Sequence, residues 1–209
     1  MFTSFRSLSV FLLLLLSPAA TWLGPRAMAQ TLKGLDGALS GFGQFSSTAN
    51  GNGIQDKPTY STGTLATLRQ SFHPWLGYEV NYGYTRFAER YKTTPFGQQV
   101  QNNLHEVSVA YLLQLPTIPI IGLQPFAAVG AGALIFLPTT TGGQHYSQQT
   151  RVPVLYEVGL NYPLLTSHFG LRLQYRGLYY KTPDFNATAL TTNAKRQTIE
   201  PSAGVFFRF

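Results

Sequence analysis

Apolar and polar side chains alternate along most of the chain beyond residue 35. The pattern is clearest between Leu76 and Arg86, where every second residue is Leu, Tyr or Val and the residues between are Gly, Glu, Asn or Thr. Successive side chains of a β-strand point to opposite faces, so a period of two predicts a strand with one apolar face. An amphipathic helix would instead need apolar residues three or four positions apart.

About eight segments share this strand character, and each is roughly the 9–11 residues with which a tilted strand crosses a bilayer, or a little longer. Their predicted apolar faces are, in chain order, Leu35, Leu39 and Phe45; Thr64, Ala66, Leu68 and Phe72; Leu76, Tyr78, Val80, Tyr82 and Tyr84; Val107, Val109, Tyr111 and Leu113; Leu123, Ala127, Val129, Ala131, Ala133 and Ile135; Val152, Val154, Tyr156, Val158, Leu160 and Tyr162; Phe169, Leu171, Leu173 and Tyr175; and Val205, Phe207 and Phe209. Glycine and polar residues interrupt the alternation most in the first two segments.

The connections between segments alternate in length, which is a second and independent signal. Short connections at 73–75, 116–122 and 163–168 follow the even-numbered segments, and longer polar ones at 46–60, 88–103, 137–150 and 181–197 follow the odd-numbered segments. Short turns at one end and long loops at the other are the layout of an outer-membrane barrel. Because hydrocarbon offers no hydrogen-bond partners to the backbone, a membrane-spanning sheet has to close on itself.

The sequence therefore predicts an all-β fold, an eight-stranded antiparallel up-and-down transmembrane β-barrel that occupies residues 30–209. The alternative is a water-soluble sandwich or a lipocalin-like barrel, in which the large apolar residues would lie inside. Small and charged residues share one face across the segments, and this arrangement favours the membrane barrel.

The first 29 residues have the order of a secretory signal peptide. Arg6 precedes an apolar run at 10–16, and Ala27–Ala29 matches the small-residue pattern of a cleavage site. We expect residues 1–29 to be removed and the mature chain to be exported to the outer membrane of a Gram-negative cell. The alternative, a signal anchor, would need about 20 apolar residues, and the leucine run is shorter.

The composition agrees with a membrane protein that keeps charge off its surface. Only 11% of the residues are charged, against roughly 25% in a typical soluble domain. There is no cysteine, so no disulfide framework and no lipid-modified N-terminal cysteine are available. The nearly apolar stretch 118–137 contains Pro119, Pro125 and three glycines, which disfavour a membrane helix and fit a turn followed by a strand.

The face opposite the apolar one collects most of the acidic residues together with four arginines. We call this set the lumen ion network: Asp36, Arg69, Glu79, Glu106, Glu157, Arg172, Arg176, Glu200 and Arg208. The interior of an eight-stranded barrel is just wide enough for side chains to fill it, and a buried charge requires a partner. We expect a near-neutral, salt-bridged lumen without a continuous pore; the alternatives are a proton relay and a narrow channel.

Three stretches, 71–87, 171–181 and 200–209, resemble the small outer-membrane β-barrel proteins related to the OmpA transmembrane domain and the opacity-type surface proteins. The resemblance covers nearly the whole mature chain. It implies that Val205, Phe207 and Phe209 form the signal that the barrel-assembly machinery recognises, with periplasmic chaperones as further partners during biogenesis. It implies the fold and the location more strongly than any activity, because the group contains anchors, adhesins, host-interaction proteins and many members of unknown role.

One loop contains a weak indication of catalysis. His145 and Ser147, with Glu157 downstream, faintly resemble the His-x-Ser arrangement of outer-membrane lipid A deacylases, in which serine attacks an ester and histidine acts as base. The pair lies in a predicted loop, and Gln148 follows the serine where those enzymes usually have Asn. A chance match is the better interpretation, because such short motifs have a high false-positive rate.

Basic residues concentrate in or beside the long loops. We call six of them the loop basic patch: Lys57, Arg90, Lys92, Lys181, Lys195 and Arg196. Lysine and arginine pair well with phosphate groups, so lipopolysaccharide and other outer-membrane lipids are expected partners. A generic solvated loop surface is the alternative.

The function predicted from these features is structural or interactive: display of surface loops, or anchoring within the envelope. The alternatives are a lipid A deacylase-like esterase and a narrow channel. The histidines are scattered without metal-ligand spacing, and no nucleotide or nucleic-acid motif is present, so we expect no metal, no cofactor and no nucleic-acid partner.

Overall fold

The computed structural model describes residues 34–93, 95–119, 122–139, 146–164 and 168–209, as well as the backbone but not the side chain of Phe96. The predicted signal peptide, residues 1–29, lies outside the described residues, as does His145. No helix in these ranges is long and apolar enough to cross a membrane.

The described chain consists almost entirely of β-strands. They are β1 (Leu35–Ser46), β2 (Ala49–Gly51), β3 (Ile54–Pro58), β4 (Ser61–His73), β5 (Leu76–Thr93), β6 (Phe96–Gln114), β7 (Gln124–Pro138), β8 (Gln149–Arg151), β9 (Val154–Pro163), β10 (Phe169–Lys181) and β11 (Lys195–Arg208). A single turn of 3-10 helix, Thr188–Leu190, lies between β10 and β11.

Eight of these strands form a closed antiparallel wall in the order β1, β4, β5, β6, β7, β9, β10, β11. The first and last strands pair with each other, with Leu39 opposite Val205, so the wall has no free edge. The other three strands are short additions, since β3 pairs with the end of β5, β2 pairs with β3, and β8 pairs with β7. The predicted eight-stranded up-and-down barrel is confirmed.

The apolar face of the wall points outward. On β5, Tyr78 is 46% exposed whereas the adjacent Glu79 is completely buried. None of the outward positions predicted from the alternation is buried, including those of the weakly patterned first two segments. This distribution is inverted relative to a soluble barrel, because the large apolar side chains lie outside and the ions lie inside.

The strands extend further at the long-loop end than the alternation of apolar residues indicated. The stretch 88–103, predicted as a loop, is mostly strand, since β5 runs to Thr93 and β6 begins at Phe96. The ladder continues there, with Arg90 opposite Gln99. Backbone pairing does not require an apolar outer face once a strand has left the hydrocarbon region, so the apolar signal ends before the strand does.

Candidate functional site

Arg176 is the centre of the lumen ion network. Its guanidinium lies 2.5 Å from Glu106, 2.8 Å from Glu200 and 3.2 Å from Glu157. These residues come from β10, β6, β11 and β9, so the ion pairs cross the lumen and join strands that are not all neighbours in the wall. The arginine is completely buried, and its charge is compensated entirely within the barrel.

Glu157 links Arg176 to a second arginine. Arg69 lies 2.9 Å from Glu157 and 2.8 Å from Glu79, with side-chain exposures of zero for all three residues. Asn81 donates a hydrogen bond of 2.8 Å to Glu79 and accepts one of 2.7 Å from the Thr67 hydroxyl. The carboxylates are therefore held by neutral donors as well as by cations, which buried ions require.

A third arginine completes the network at the short-turn end. Arg172 lies 2.8 Å from Asp36 and donates a hydrogen bond of the same length to Asn161. The ring of Phe126 lies close to two guanidinium groups, with its centre 3.9 Å from that of Arg69 and 5.7 Å from that of Arg172. An aromatic face is attractive to a desolvated cation, so Phe126 adds a contact that the carboxylates do not supply.

The structure brings together eight of the nine residues predicted for the lumen ion network, and Arg208 differs. Arg208 is only partly buried, and its guanidinium donates to the side-chain oxygen of Gln124 at 3.1 Å. No ion pair of Arg208 occurs among the described residues. It lines a cavity of about 260 Å³ at the short-turn end, together with Asn161 and Gln114.

An apolar layer separates this network from the long-loop end. Its side chains are all less than 5% exposed and point into the lumen: Phe87, Leu104, Leu134, Phe136, Leu155, Leu178 and Tyr180. The rings of Phe87 and Phe136 meet edge to face at 6.3 Å. The lumen towards the long-loop end is thus filled by a packed core, like the interior of a soluble protein.

The assignment of Arg196 to the loop basic patch is wrong. Arg196 is completely buried, lies 2.6 Å from Glu89 and forms an ion pair with Asp56. We call these three residues the outer ion triad. Arg196 has the same parity as Glu200 on β11, and Glu89 has that of Glu79 on β5, so continuing the alternation beyond the apolar region would have placed both inside.

The outer ion triad contains two acidic groups and one cation. Burial, together with the neighbouring Glu89, raises the pKa of Asp56 to about 9 from its ordinary value of 3.8, against the opposing effect of Arg196. Asp56 therefore keeps a proton when the β2–β3 hairpin is docked, that is, packed on the end of the barrel, and would release it if the hairpin detached. By linkage, the docked state is most stable at low pH and becomes less stable as the pH rises from about 4 to about 9.

We expect this hairpin to detach more readily as the pH rises from 6 to 9. The equilibrium constant for its opening should increase by up to about tenfold per pH unit. Because the chain has no cysteine, a spin label on an Asn50→Cys variant reports on the hairpin alone. The label should gain mobility at pH 9, and an added Asp56→Asn substitution should abolish the pH dependence. Equal mobility at both pH values would contradict the expectation.

An apolar cap closes the long-loop end above the triad. It consists of the buried side chains of Ile54, Tyr91, Phe185 and Leu190, contributed by three different connections. The Tyr91 hydroxyl donates to the Pro183 carbonyl at 2.8 Å, and the Tyr91 and Phe185 rings meet edge to face. The long connections therefore pack on one another and on the barrel.

Hydrogen bonds from β8 hold the β10–β11 connection in this cap. The side-chain oxygen of Gln149 accepts from the backbone N–H groups of Asp184 and Phe185, at 2.8 and 3.1 Å. Phe185 has a φ of 51°, a left-handed conformation that is unfavourable for a bulky residue. These bonds and the burial of the ring offset that conformational cost.

All eight carboxylates of the sequence are bound inside the barrel or in the cap. Five belong to the lumen ion network and two to the outer ion triad, while Asp184 lies 3.2 Å from Arg151. Six cations at the long-loop end are exposed, namely Lys57, Arg86, Arg90, Lys92, Lys181 and Lys195. Among the described residues, none of the six forms an ion pair. The outer surface at this end is therefore positively charged.

Two pairs of these cations lie directly opposite each other on neighbouring strands. Lys57 faces Arg90 across β3 and β5, and Lys181 faces Lys195 across β10 and β11. Like charges in this arrangement destabilise a sheet, because their β-carbons are only about 5 Å apart. An anion placed between them would relieve the repulsion.

The residues of the candidate hydrolase are not brought together within the described part of the chain. Glu157 forms ion pairs with Arg69 and Arg176 inside the lumen, and Ser147 is exposed. In the same part of the chain, no three His, Cys, Asp or Glu side chains are grouped as metal ligands would be.

The predicted assembly signal forms part of the outward face. Val205, Phe207 and Phe209 are 42–56% exposed, and the Phe207 and Phe209 rings meet edge to face at 5.1 Å. The backbone N–H of Phe209 donates to the carbonyl of Leu35 at 2.9 Å, which continues the closing seam of the barrel. Recognition of these residues by an assembly machinery stays a prediction.

Comparisons with known proteins support the fold. No protein-family model matches the chain, and no curated protein matches it in sequence. Among solved structures, Neisserial surface protein A matches with a TM-score of 0.60 at 18% identity, over 85% of this chain and 98% of that one. The outer-membrane protein OprG from Pseudomonas aeruginosa matches with a TM-score of 0.59 at 14% identity, over 85% and 96%.

The outer-membrane protein AlkL, solved in lipid bilayers, matches with a TM-score of 0.52 at 14% identity, over 85% of this chain and 90% of that one. At identities below 20%, these similarities establish the fold and nothing finer. The chain has the fold of the small outer-membrane β-barrels, as the sequence predicted.

Proposed function

We propose that the mature chain is an outer-membrane β-barrel with a filled lumen, which serves as a structural and surface-display protein. The observation that carries this proposal is the inverted distribution of side chains. Tyrosine, leucine and valine cover the outside of the wall, while Arg69, Arg172 and Arg176 are completely buried within it. Only a solvent of hydrocarbon makes this distribution favourable, because in water the outer face would be a very large exposed apolar patch.

The same proposal includes the route by which the chain reaches that membrane. Residues 1–29 would direct export and be removed, and Phe209 with Val205 and Phe207 would be recognised during assembly by periplasmic chaperones and the barrel-assembly machinery. The likeness of the fold to outer-membrane proteins supports this location.

Two measurements separate this proposal from the channel and the esterase. In planar lipid bilayers the purified protein should give no steady single-channel current, because ion pairs and the apolar layer occupy the lumen. A Glu157→Ala variant should be less stable and should still give only background current. The protein should not hydrolyse acyl esters, and Ser147→Ala should change nothing. Large steady currents, or hydrolysis that Ser147→Ala abolishes, would overturn the proposal.

We further propose that the exposed cations bind the phosphates of lipopolysaccharide in the outer leaflet. The six cations have no acidic partner in the described chain, and two like-charged pairs face each other across strands. Arg86 lies two residues beyond the outward Tyr84, a position that suits the boundary between hydrocarbon and headgroups. The cations above it on β5 would reach the phosphates further from the membrane.

We expect Lys181→Gln with Lys195→Gln to weaken the binding of phosphorylated lipid A by about thirtyfold, since each cation near an anionic lipid surface contributes about 1 kcal/mol. The binding can be measured by the shift in thermal unfolding when the lipid is added in micelles. Dephosphorylated lipid A is the control and should cause little shift in either protein. Arg196 is unsuitable for this test because its substitution would disturb the outer ion triad. An unchanged shift in the double variant would leave a generic solvated surface as the explanation.

A further inference from the structure

A cleft opens at the long-loop end between two hairpins. One wall is the tip of the β2–β3 hairpin, and the other is formed by Lys92, Thr93, Pro95 and Gly97. The cleft has a volume of about 660 Å³. Ligand sites of proteins span about 300–1,000 Å³, so this cleft is of a suitable size. Its polar lining comes from Asn50, Gln55, Lys92 and Thr93, all of which are exposed.

The wall formed by the β2–β3 hairpin is held in place before any ligand arrives. The side-chain amide of Asn52 donates to the carbonyl of Thr191 at 2.9 Å. Gly51 lies so close to the backbone of Thr192 that a β-carbon would overlap its carbonyl oxygen. Ile54 is buried in the cap, and Asp56 is bound to Arg196 beneath it. A preformed site loses little conformational entropy on binding.

The chemistry of the lining selects an anion that also has hydroxyl groups. Among the described residues of the lining, only Lys92 is charged. Gln55 lies directly opposite it in the β3–β5 ladder, so an ammonium and an amide point to the same side. Asn50 and Thr93 add further donors and acceptors. Asp56 and Glu89, the acidic residues of β3 and of this end of β5, are buried on the other face of the sheet and do not offset the charge of Lys92.

We propose that this cleft binds a saccharide chain bearing carboxylate or phosphate groups, which places the site on the extracellular side and so rests on the proposed function. Amide and hydroxyl side chains satisfy the sugar hydroxyls, and Lys92 pairs with the acidic group. Because the polar lining is exposed along its length, the cleft suits a segment of an extended chain. The saccharide comes either from the core of the neighbouring lipopolysaccharide or from an acidic polysaccharide outside the cell.

The test is calorimetric titration of the folded protein in detergent micelles with four soluble probes. The two acidic probes are the phosphorylated core oligosaccharide released from lipopolysaccharide and a tetragalacturonate. The neutral control is maltotetraose, and an oligoglutamate peptide tests for an acidic peptide ligand. We expect one or both acidic saccharides to bind, more weakly at high salt, and the one that binds better identifies the source.

Lys92→Gln should weaken the binding of that saccharide by at least about tenfold, because it removes a charge-assisted hydrogen bond. Lys92→Arg, a matched variant that keeps the positive charge at this position, should retain most of the binding. The proposal is overturned if neither acidic saccharide binds, if maltotetraose or oligoglutamate binds equally well, or if Lys92→Gln has no effect. Folding in micelles, conductance and ester hydrolysis are measured separately, so a failure here is distinct from a failure of the proposed function.

Discussion

Replacement of Arg176 by methionine should destabilise the barrel by about 3–5 kcal/mol, the loss expected when one partner of a buried ion pair is removed. The loss is large because Glu106 and Glu200 have no other ion-pair partner among the described residues, and Glu157 would keep only Arg69. Methionine has a comparable length and no charge, so the main change is electrostatic. The free energy of unfolding can be measured by urea titration in lipid vesicles, with the gel mobility of the folded form as the readout.

Two further variants test whether the loss of stability comes from unpaired charge in the lumen. Lys181→Met lies on the same strand but is exposed, and it should change the stability by less than about 1 kcal/mol. Adding Glu106→Gln and Glu200→Gln to Arg176→Met should recover much of the loss, because neutral amides are less costly to bury than unpaired carboxylates. If Arg176→Met were as stable as the wild type, the lumen ion network would not be a source of stability.

Replacement of Arg196 by methionine should open the cap and leave the barrel wall intact. Asp56 and Glu89 would lose their common partner, again at about 3–5 kcal/mol. The β2–β3 hairpin pairs with the wall over only four residue positions, so it can undock to relieve this cost. A spin label on Asn50→Cys should become mobile, while the gel mobility of the folded barrel should be retained.

The adjacent Lys195 provides the matched control for this variant. Lys195 is exposed, so Lys195→Met should leave the label as immobile as in the parent protein. Combining Arg196→Met with Asp56→Asn and Glu89→Gln should restore much of the docking, because no unpaired charge then remains. An immobile label in the single Arg196→Met variant would mean that apolar packing alone holds the cap.

Residue parity in the sequence was sufficient to predict which side chains face inward. Arg69, Glu79 and Glu157 are all opposite the apolar stripe, and all three are buried in the lumen. This inference works because the side-chain direction in a strand depends only on the position along that strand. The inference failed for Arg196, because the residues around it are polar on both faces of the strand. The strand continues there, but the sequence no longer alternates between apolar and polar residues.

The sequence by itself determined the fold class, the number of wall strands and the inward face, because these depend on a period of two and on the lengths of the connections. Only the tertiary structure decided which ions meet. Arg69 and Glu157 are 88 positions apart, and Arg196 and Asp56 are 140 apart. Such contacts depend on how the strands are staggered when the barrel closes and on how the long connections pack across its end. Neither the stagger nor this packing produces a periodic pattern in the local sequence.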